Sequence, residues 1–157
     1  MQKAKYILFL ALALLVLAFI ATTAVGQKRV AESSPAQQPL LSEYKGVRLG
    51  MPAGDVATRL GQPAQHTDDQ DFFVISETET AQIVYDKNQN VKTISVDYFG
   101  GVGAPDYKMV VGNDVQVRPD GSVYKLVRYE AHGFWVSYSR TAGTAVIVSI
   151  TLQSTRK

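Results

Sequence analysis

The chain has 157 residues, no cysteine and nearly balanced charge, with 16 Lys and Arg against 14 Asp and Glu. The absence of cysteine excludes disulfides, zinc–thiolate sites, a thiol nucleophile and the usual bacterial lipoprotein attachment. Residues 42–153 contain 10 basic and 13 acidic side chains, which argues against nucleic acid as a partner.

The first 26 residues have the features of an export segment. Lys3 and Lys5 precede an uncharged apolar run over residues 6–21, and the small residues 24–26 are suited to signal cleavage. The run is long for a cleaved signal and slightly short for a spanning helix. Two alternatives stay open: secretion after cleavage near Gly26, or a membrane tether through residues 6–26. Both place the domain outside the cytoplasm, in the periplasm or at the cell surface.

Residues 27–41 are rich in Ser, Pro and Gln and show no apolar periodicity before Leu40. This composition is typical of a flexible linker that cannot build a core. About 115 residues follow from Ser42, a normal size for one domain. The predicted domain therefore covers residues 42–153.

The stretch 50–63 is the clearest structural signal in the domain. Pro52 is suited to the first helical position, because the backbone N–H that proline lacks has no partner within a helix there. Asp55 lies in the first turn, and glycine and proline end the segment. Val56 and Leu60, one turn apart, form a narrow apolar stripe. So small a stripe is stable only when it packs on something larger, so we expect this helix to lie on a sheet.

Alternating hydrophobicity predicts strands at 71–77, 80–85, 91–98, 122–129, 133–139 and 145–152. A second helix is predicted over 104–112, with Pro105 near its start and Gly112 at its end. The order helix, strand, strand, strand therefore occurs twice. We predict an α+β fold of two tandem units, 42–99 and 104–153, each a helix plus a three-stranded antiparallel meander, with the helices packed on one sheet face.

The same alternation assigns the strand residues to two faces. The face under the helices is predicted to hold Ile83, Tyr85, Ile94, Val96, Tyr98, Phe134, Val136, Tyr138, Val146, Val148, Ile150 and Leu152. The opposite face is predicted to hold Thr93, Ser95, Asp97, Trp135, Ser137, Ser139, Ile147, Ser149 and Thr151. This second face is polar and mostly uncharged, with one tryptophan.

The segment Gly46-Val47-Arg48-Leu49-Gly50-Met51, followed by Asp55-Val56, Leu60-Gly61 and Pro63, resembles the signature of the BamE/SmpA outer-membrane assembly lipoproteins. The doubled arrangement is similar to that of the β-lactamase inhibitory protein. The resemblance implies an envelope protein that binds other proteins. The chain departs from both groups, because it lacks the lipid-bearing cysteine of the first and the disulfides of the second.

Catalytic and metal sites have little support in the sequence. The two histidines, His66 and His132, are expected in exposed turns, and a hydrolase would need His132 beside Ser137 or Ser139. Asp86, Asn88, Asn90 and Asp97 have part of the spacing of a calcium loop but lack its glycine and helices, which favours a hairpin turn. The acids at 68, 69 and 71 favour a solvated loop over a weak cation site. We therefore expect no cofactor, no metal and no catalytic residue.

The predicted binding site is the polar face around the tryptophan, because aromatic anchors dominate protein interfaces. Its residues are Trp135, Ser137, Ser139, Ser149, Thr151, Ser95 and Asp97. Arg128 and Arg140 are candidates to flank the tryptophan. The alternative is that the tryptophan is covered by the linker or by the glycine-rich hinge between the two units, residues 100–103. The sequence thus predicts a non-catalytic binding or scaffold module with an envelope protein as partner. The alternatives are an inhibitor of an extracytoplasmic enzyme and, third, an envelope hydrolase.

Overall fold

The computed structural model describes residues 37–156. The predicted export or anchor segment, residues 1–26, lies outside this range, as does most of the predicted linker. Within residues 37–156, no helix combines the length and the apolar character needed to cross a bilayer.

The described chain forms nine strands and two α-helices. In chain order they are β1 (Glu43–Tyr44), β2 (Val47–Arg48), α1 (Ala53–Leu60), β3 (Gln65–His66), β4 (Gln70–Ser76), β5 (Glu79–Tyr85), β6 (Val91–Phe99), α2 (Tyr107–Val111), β7 (Val123–Tyr129), β8 (Phe134–Arg140) and β9 (Ile147–Ser154). A 3₁₀ turn, Glu130–His132, links β7 to β8. Strands β1 and β2 form a small hairpin, and the other seven form one antiparallel sheet in the order β3-β4-β5-β6-β9-β8-β7.

The predicted α+β class is wrong, because the fold is mostly β. Strands hold 45% of the described residues and helical turns 13%, in two sheets with only two α-helices. Two physical causes account for the difference. The second helix is only five residues long: it ends before Gly112, as predicted, but it begins at Tyr107 and not at 104, because the extended Asp106 is its N-cap. The short strands β1, β2 and β3 were also absent from the prediction, because two residues carry no alternation.

The two helices begin differently although their sequences look alike. Helix α1 has Asp55 in its first turn, as expected, but Pro52 is its extended N-cap and not its first helical residue. In α2 the acid is the cap itself: the Asp106 carboxylate accepts a hydrogen bond from the Lys108 N–H at 2.8 Å. Each helix ends at a glycine with positive φ, Gly61 at 86° and Gly112 at 83°, a conformation that costs other residues energy.

The connection into α1 is tied to the turn between β5 and β6. The Gly50 N–H donates to the Val91 carbonyl at 2.7 Å, and the Val91 N–H donates to the Met51 carbonyl at 2.8 Å. Pro52 and Asn90 form an antiparallel bridge beyond them. The backbone of the Gly-Met stretch therefore extends the sheet end, and this fixes where α1 starts.

The predicted assignment of faces is confirmed by burial. Ten of the twelve residues predicted to face the helices are buried, and Phe134 and Val146 are partly buried against the same core. Val56 of α1 and Val110 and Val111 of α2 belong to this core. The sheet thus has one covered face. Whether its two halves arose by duplication stays a prediction.

Candidate functional site

The seven predicted binding residues lie together on the uncovered side of three neighbouring central strands. Antiparallel pairing aligns Asp97 with Ser149 and Ser149 with Ser139 in one row. The next row aligns Ser95 with Thr151 and Thr151 with Ser137, and one row further Trp135 stands beside Gln153. Directly paired residues project to the same side of a sheet. Strands far apart in the sequence therefore build one continuous surface.

We define the open face as the side-chain rows opposite the core. Its residues are Phe72 and Val74 on β4, Thr80 and Gln82 on β5, Thr93, Ser95, Asp97 and Phe99 on β6, Ile147, Ser149, Thr151 and Gln153 on β9, Trp135, Ser137 and Ser139 on β8, and Tyr124, Leu126 and Arg128 on β7. None of them is buried.

Hydroxyl groups on β6 and β9 are hydrogen-bonded across the strands. Ser95 Oγ lies 3.0 Å from Thr151 Oγ1, and the Ser149 hydroxyl donates to Asp97 Oδ1 at 2.5 Å. The Asp97 carboxylate therefore already accepts a hydrogen bond within the sheet. Among the described residues, the hydroxyls of Ser137 and Ser139 make no side-chain hydrogen bond. Those two groups are free to bond to a partner.

Exposed apolar side chains border this polar centre. Tyr124 on β7 is 62% exposed, Val74 on β4 is 60% exposed and Phe99 at the end of β6 is 40% exposed. Trp135 is partly buried among its neighbours. The open face thus combines free hydroxyls, one tryptophan and an apolar border.

Of the two arginines expected to flank Trp135, only one lies on its face. Arg128 pairs directly with Trp135 across β7 and β8. Arg140 pairs with the buried Val148 and lies on the covered side, where its Nη1 donates to the Gly121 carbonyl at 2.7 Å. The prediction for Arg140 is therefore wrong, because its position differs from that of Trp135 by an odd number of residues.

The described residues of the linker, 37–41, do not cover Trp135. The Leu40 N–H donates to the Tyr129 hydroxyl at 3.5 Å, and the Leu40 side chain lies near Gly112 after α2. Tyr129 is buried in the core face. The end of the linker therefore lies on the covered side of the sheet.

His66 is exposed, as expected, but it takes part in a cluster that the sequence did not suggest. Its Nδ1 lies 2.5 Å from Asp71 Oδ1, and the Tyr85 hydroxyl donates to Asp71 Oδ2 at 2.6 Å. Asp71 is the one buried charged residue of the described chain. Burial, and then the hydrogen bond to Asp71, raise the pKa of the Tyr85 hydroxyl well above its usual range.

His132 lies in the turn between β7 and β8, as predicted, but it is half-buried and not exposed. It ends the 3₁₀ turn, its ring lies beside those of Tyr129 and Phe134, and its Nε2 is buried without a hydrogen-bond partner among the described residues. Within that range no hydrogen bond joins it to Ser137 or Ser139, which lie on the open face. The pairing of His132 with Ser137 or Ser139, on which the hydrolase alternative depends, is therefore not formed within residues 37–156.

The segment that has part of the spacing of a calcium loop forms the hairpin turn that the sequence favoured. Asp86 Oδ1 accepts hydrogen bonds from the backbone N–H groups of Asn88 and Asn90, at 2.8 and 3.0 Å, which is the bonding of an Asx turn. Asp97 is engaged with Ser149 on another face. In the described range no group of three or more His, Asp or Glu side chains is placed to hold a metal ion.

No protein-family model matches this chain, and neither a curated protein nor a solved structure matches it. The resemblance to the BamE/SmpA lipoproteins and to the β-lactamase inhibitory protein therefore stays a prediction from the sequence.

Proposed function

We propose that the chain is an exported, non-catalytic protein-binding module and that its partner is a protein of the cell envelope that docks on the open face. The observation that carries the proposal is the register of β6, β9 and β8. It aligns two hydroxyl rows and Trp135 on a surface that no helix within residues 37–156 covers.

The composition of the open face supports a protein as the occupant. Charged side chains are depleted at the centres of protein interfaces, and aromatic residues are enriched there. Asp97 and Arg128 are the two charged residues among those that define the open face, while Trp135, Tyr124 and two phenylalanines supply aromatic surface. Combinations of rigid aromatic anchors with adaptable hydroxyls are also typical of antibody paratopes.

The position of the histidines supports a non-catalytic role for this face. A serine nucleophile requires a base within hydrogen-bond reach. The chain has two histidines. His66 pairs with Asp71, and His132 packs beside Phe134 on the covered side. The free hydroxyls of Ser137 and Ser139 therefore have no imidazole beside them.

The proposal is tested by affinity capture from envelope fractions of the native host with the full-length chain as bait. Two variants change the open face, Trp135→Ala and Ser137→Glu. Matched controls make the same kinds of change on the other layer: Met109→Ala on α2, where the side chain is 68% exposed, and Thr58→Glu on α1. Thermal unfolding confirms that each variant folds.

We expect one protein to be captured by the wild type and both controls, and its recovery to fall about tenfold or more with each face variant, since hot-spot truncations cost about 2 kcal/mol or more. Equal recovery with all five baits would contradict the proposal. A larger loss of recovery with Met109→Ala than with Trp135→Ala would also contradict the proposal, because it would place the interface on the helical layer, which α1 and α2 form on the covered side of the sheet.

Export is part of the proposal and has its own test, the N-terminal residue of the protein recovered from the host. A chain that begins at Gln27 in a soluble envelope fraction would mean a diffusible module. An intact Met1 chain in the membrane pellet would mean a tethered one. Recovery of the intact chain in the cytosol would contradict export.

A further inference from the structure

A cleft of about 480 Å³ opens at one end of the sheet, on the side opposite the open face. One wall comes from residues 42–50 and 86–92, and the other from residues 132–134 and 154–156. The cleft therefore lies between the two halves of the chain. Its volume is within the usual range for small-molecule sites.

Positive charge dominates the lining. Arg48, Lys92 and Arg156 line the cleft, and Asp86 is its single carboxylate. The Asp86 carboxylate already accepts two backbone hydrogen bonds in its own turn. Arg48 forms an ion pair with Glu43 at 2.7 Å. Neither of the other two cations forms an ion pair with an acid within residues 37–156.

The position of Arg156 is fixed by the backbone after β9. The Thr155 N–H donates to the Gly133 carbonyl at 2.9 Å, so the pairing with the turn before β8 continues one step past the strand. The Arg156 side chain lies directly on Gly133: a Cβ at that glycine would fall 2.8 Å from Arg156 Nε. The Arg156 side chain therefore packs beside Gly133 where both line the cleft.

The floor is partly apolar. Leu49 and Val91 contribute from the first half, and Phe134 contributes from the second. Apolar walls with a few placed polar groups are typical of sites that bind a small organic molecule, where the polar groups set its orientation. An apolar wall also lowers the local dielectric, which strengthens the attraction between a cation and a bound anion.

We propose that this cleft binds a small organic anion. Its carboxylate or phosphate is held by Lys92 and Arg156, and its apolar part rests on Phe134 and Leu49. The inference is independent of the protein-binding proposal, because the cleft and the open face share no residue.

The test is a calorimetric titration of the full-length chain, in a non-ionic detergent, with three probes of similar shape: phenyl phosphate, benzoate and the uncharged benzyl alcohol. Lys92→Gln and Arg156→Gln each remove one of the two cleft cations that form no ion pair within residues 37–156. Lys108→Gln and Arg118→Gln are the matched controls, since both are exposed cations that do not line the cleft. Backbone amide shifts in NMR spectra locate the bound probe.

We expect saturable binding of at least one anion, weaker binding of benzyl alcohol, and amide shifts at Gly133 and Asn90 but not on the open face. Each cleft variant should weaken anion binding about tenfold or more, because a charge-assisted hydrogen bond contributes at least that factor, and each control should leave it unchanged. A stronger response to phenyl phosphate identifies phosphate as the group recognised, and a stronger response to benzoate identifies carboxylate.

Three calorimetric results would overturn the proposal: no saturable binding of either anion, binding of benzyl alcohol as tight as that of the anions, or equal effects of Lys92→Gln and Lys108→Gln. Amide shifts confined to the open face would also overturn it, since they would place the probe on the other side of the sheet.

Discussion

Two adjacent residues of β8 give the sharpest test of which face of the sheet is open. Val136 is fully buried, whereas Trp135 projects to the open face and is partly exposed. Truncation of each to alanine should therefore have opposite consequences. Val136→Ala should destabilise the fold without changing the binding surface, and Trp135→Ala should weaken partner binding at a small cost in stability.

The magnitudes follow from burial. Val136→Ala removes buried carbon atoms at about 0.8 kcal/mol each, and the cavity left behind brings the cost to about 2–3 kcal/mol. A tryptophan in a core costs about 3–5 kcal/mol when truncated. Because Trp135 has the core on the other side of its strand, we expect its truncation to cost about 1 kcal/mol. The larger side chain should thus have the smaller effect.

The assay is urea unfolding of both variants and the wild type, with the free energy of unfolding taken from transitions that share one slope. Far-UV circular dichroism is the appropriate signal, since Trp135 is the chain's single tryptophan and its fluorescence disappears in the variant. A loss of about 3 kcal/mol or more for Trp135→Ala would refute the reasoning, because it would show that the indole is part of a core.

Three further predictions concern the covered side. Tyr85→Phe removes the hydroxyl that donates to the buried Asp71 carboxylate, so we expect it to lower the free energy of unfolding by about 1–3 kcal/mol in urea titrations. A loss under 0.5 kcal/mol would contradict a stabilising role for this hydrogen bond. Burial, then the charge of a nearby glutamate, raise the pKa of Tyr98 from 10.0 to about 12. The folded state favours the neutral phenol, so stability is full below pH 10 and falls as the pH rises towards 12, and Tyr98→Phe should flatten that decline; an unfolding midpoint that does not change from pH 9 to 12 would contradict this. Gly133→Ala should destabilise the fold more than Gly143→Ala and should also weaken anion binding. Both glycines have positive φ, but only at Gly133 would a Cβ fall against Arg156. Equal effects of the two substitutions in thermal unfolding would be evidence against this contact with Arg156.

The period of two in the strands was enough to predict where they lie and which side each residue faces. Ile94, Val96 and Tyr98 are all buried, and Ser95 and Asp97 between them are not. This signal is strong because a shift of one residue would bury every polar side chain of the strand. The seven predicted binding residues share a face for the same reason.

The fold class could not be predicted as well, since it depends on short elements. Proline and glycine mark where a helix can begin and end, but Pro105 does not show that the extended Asp106 caps α2 and delays its start to Tyr107. The hairpin of β1 and β2 and the two-residue strand β3 form because the chain can pair there, and pairs of residues leave no periodic pattern.

The charged cluster and the cleft were missed for different reasons. Asp71 was grouped with the acids of the preceding loop, although it has the same parity as the buried Phe73 and that parity predicts an inward carboxylate. The cleft has no sequence signal at all, because Lys92 and Arg156 lie in different halves of the chain. Only the pairing of β6 with β9 brings them to one end of the sheet.

Site-specific photo-crosslinking in living host cells is the direct test of whether the partner protein docks on the open face. A photoreactive phenylalanine analogue is placed at Ser137, on the open face, and in a second strain at Met109, on the helical layer. If the partner docks on the open face, the analogue at position 137 should form a covalent adduct with one protein. This adduct should disappear when Trp135→Ala is added, and the analogue at position 109 should not form it. An adduct from position 109 alone, or the same adduct from both, would contradict the claim that the open face is the binding surface.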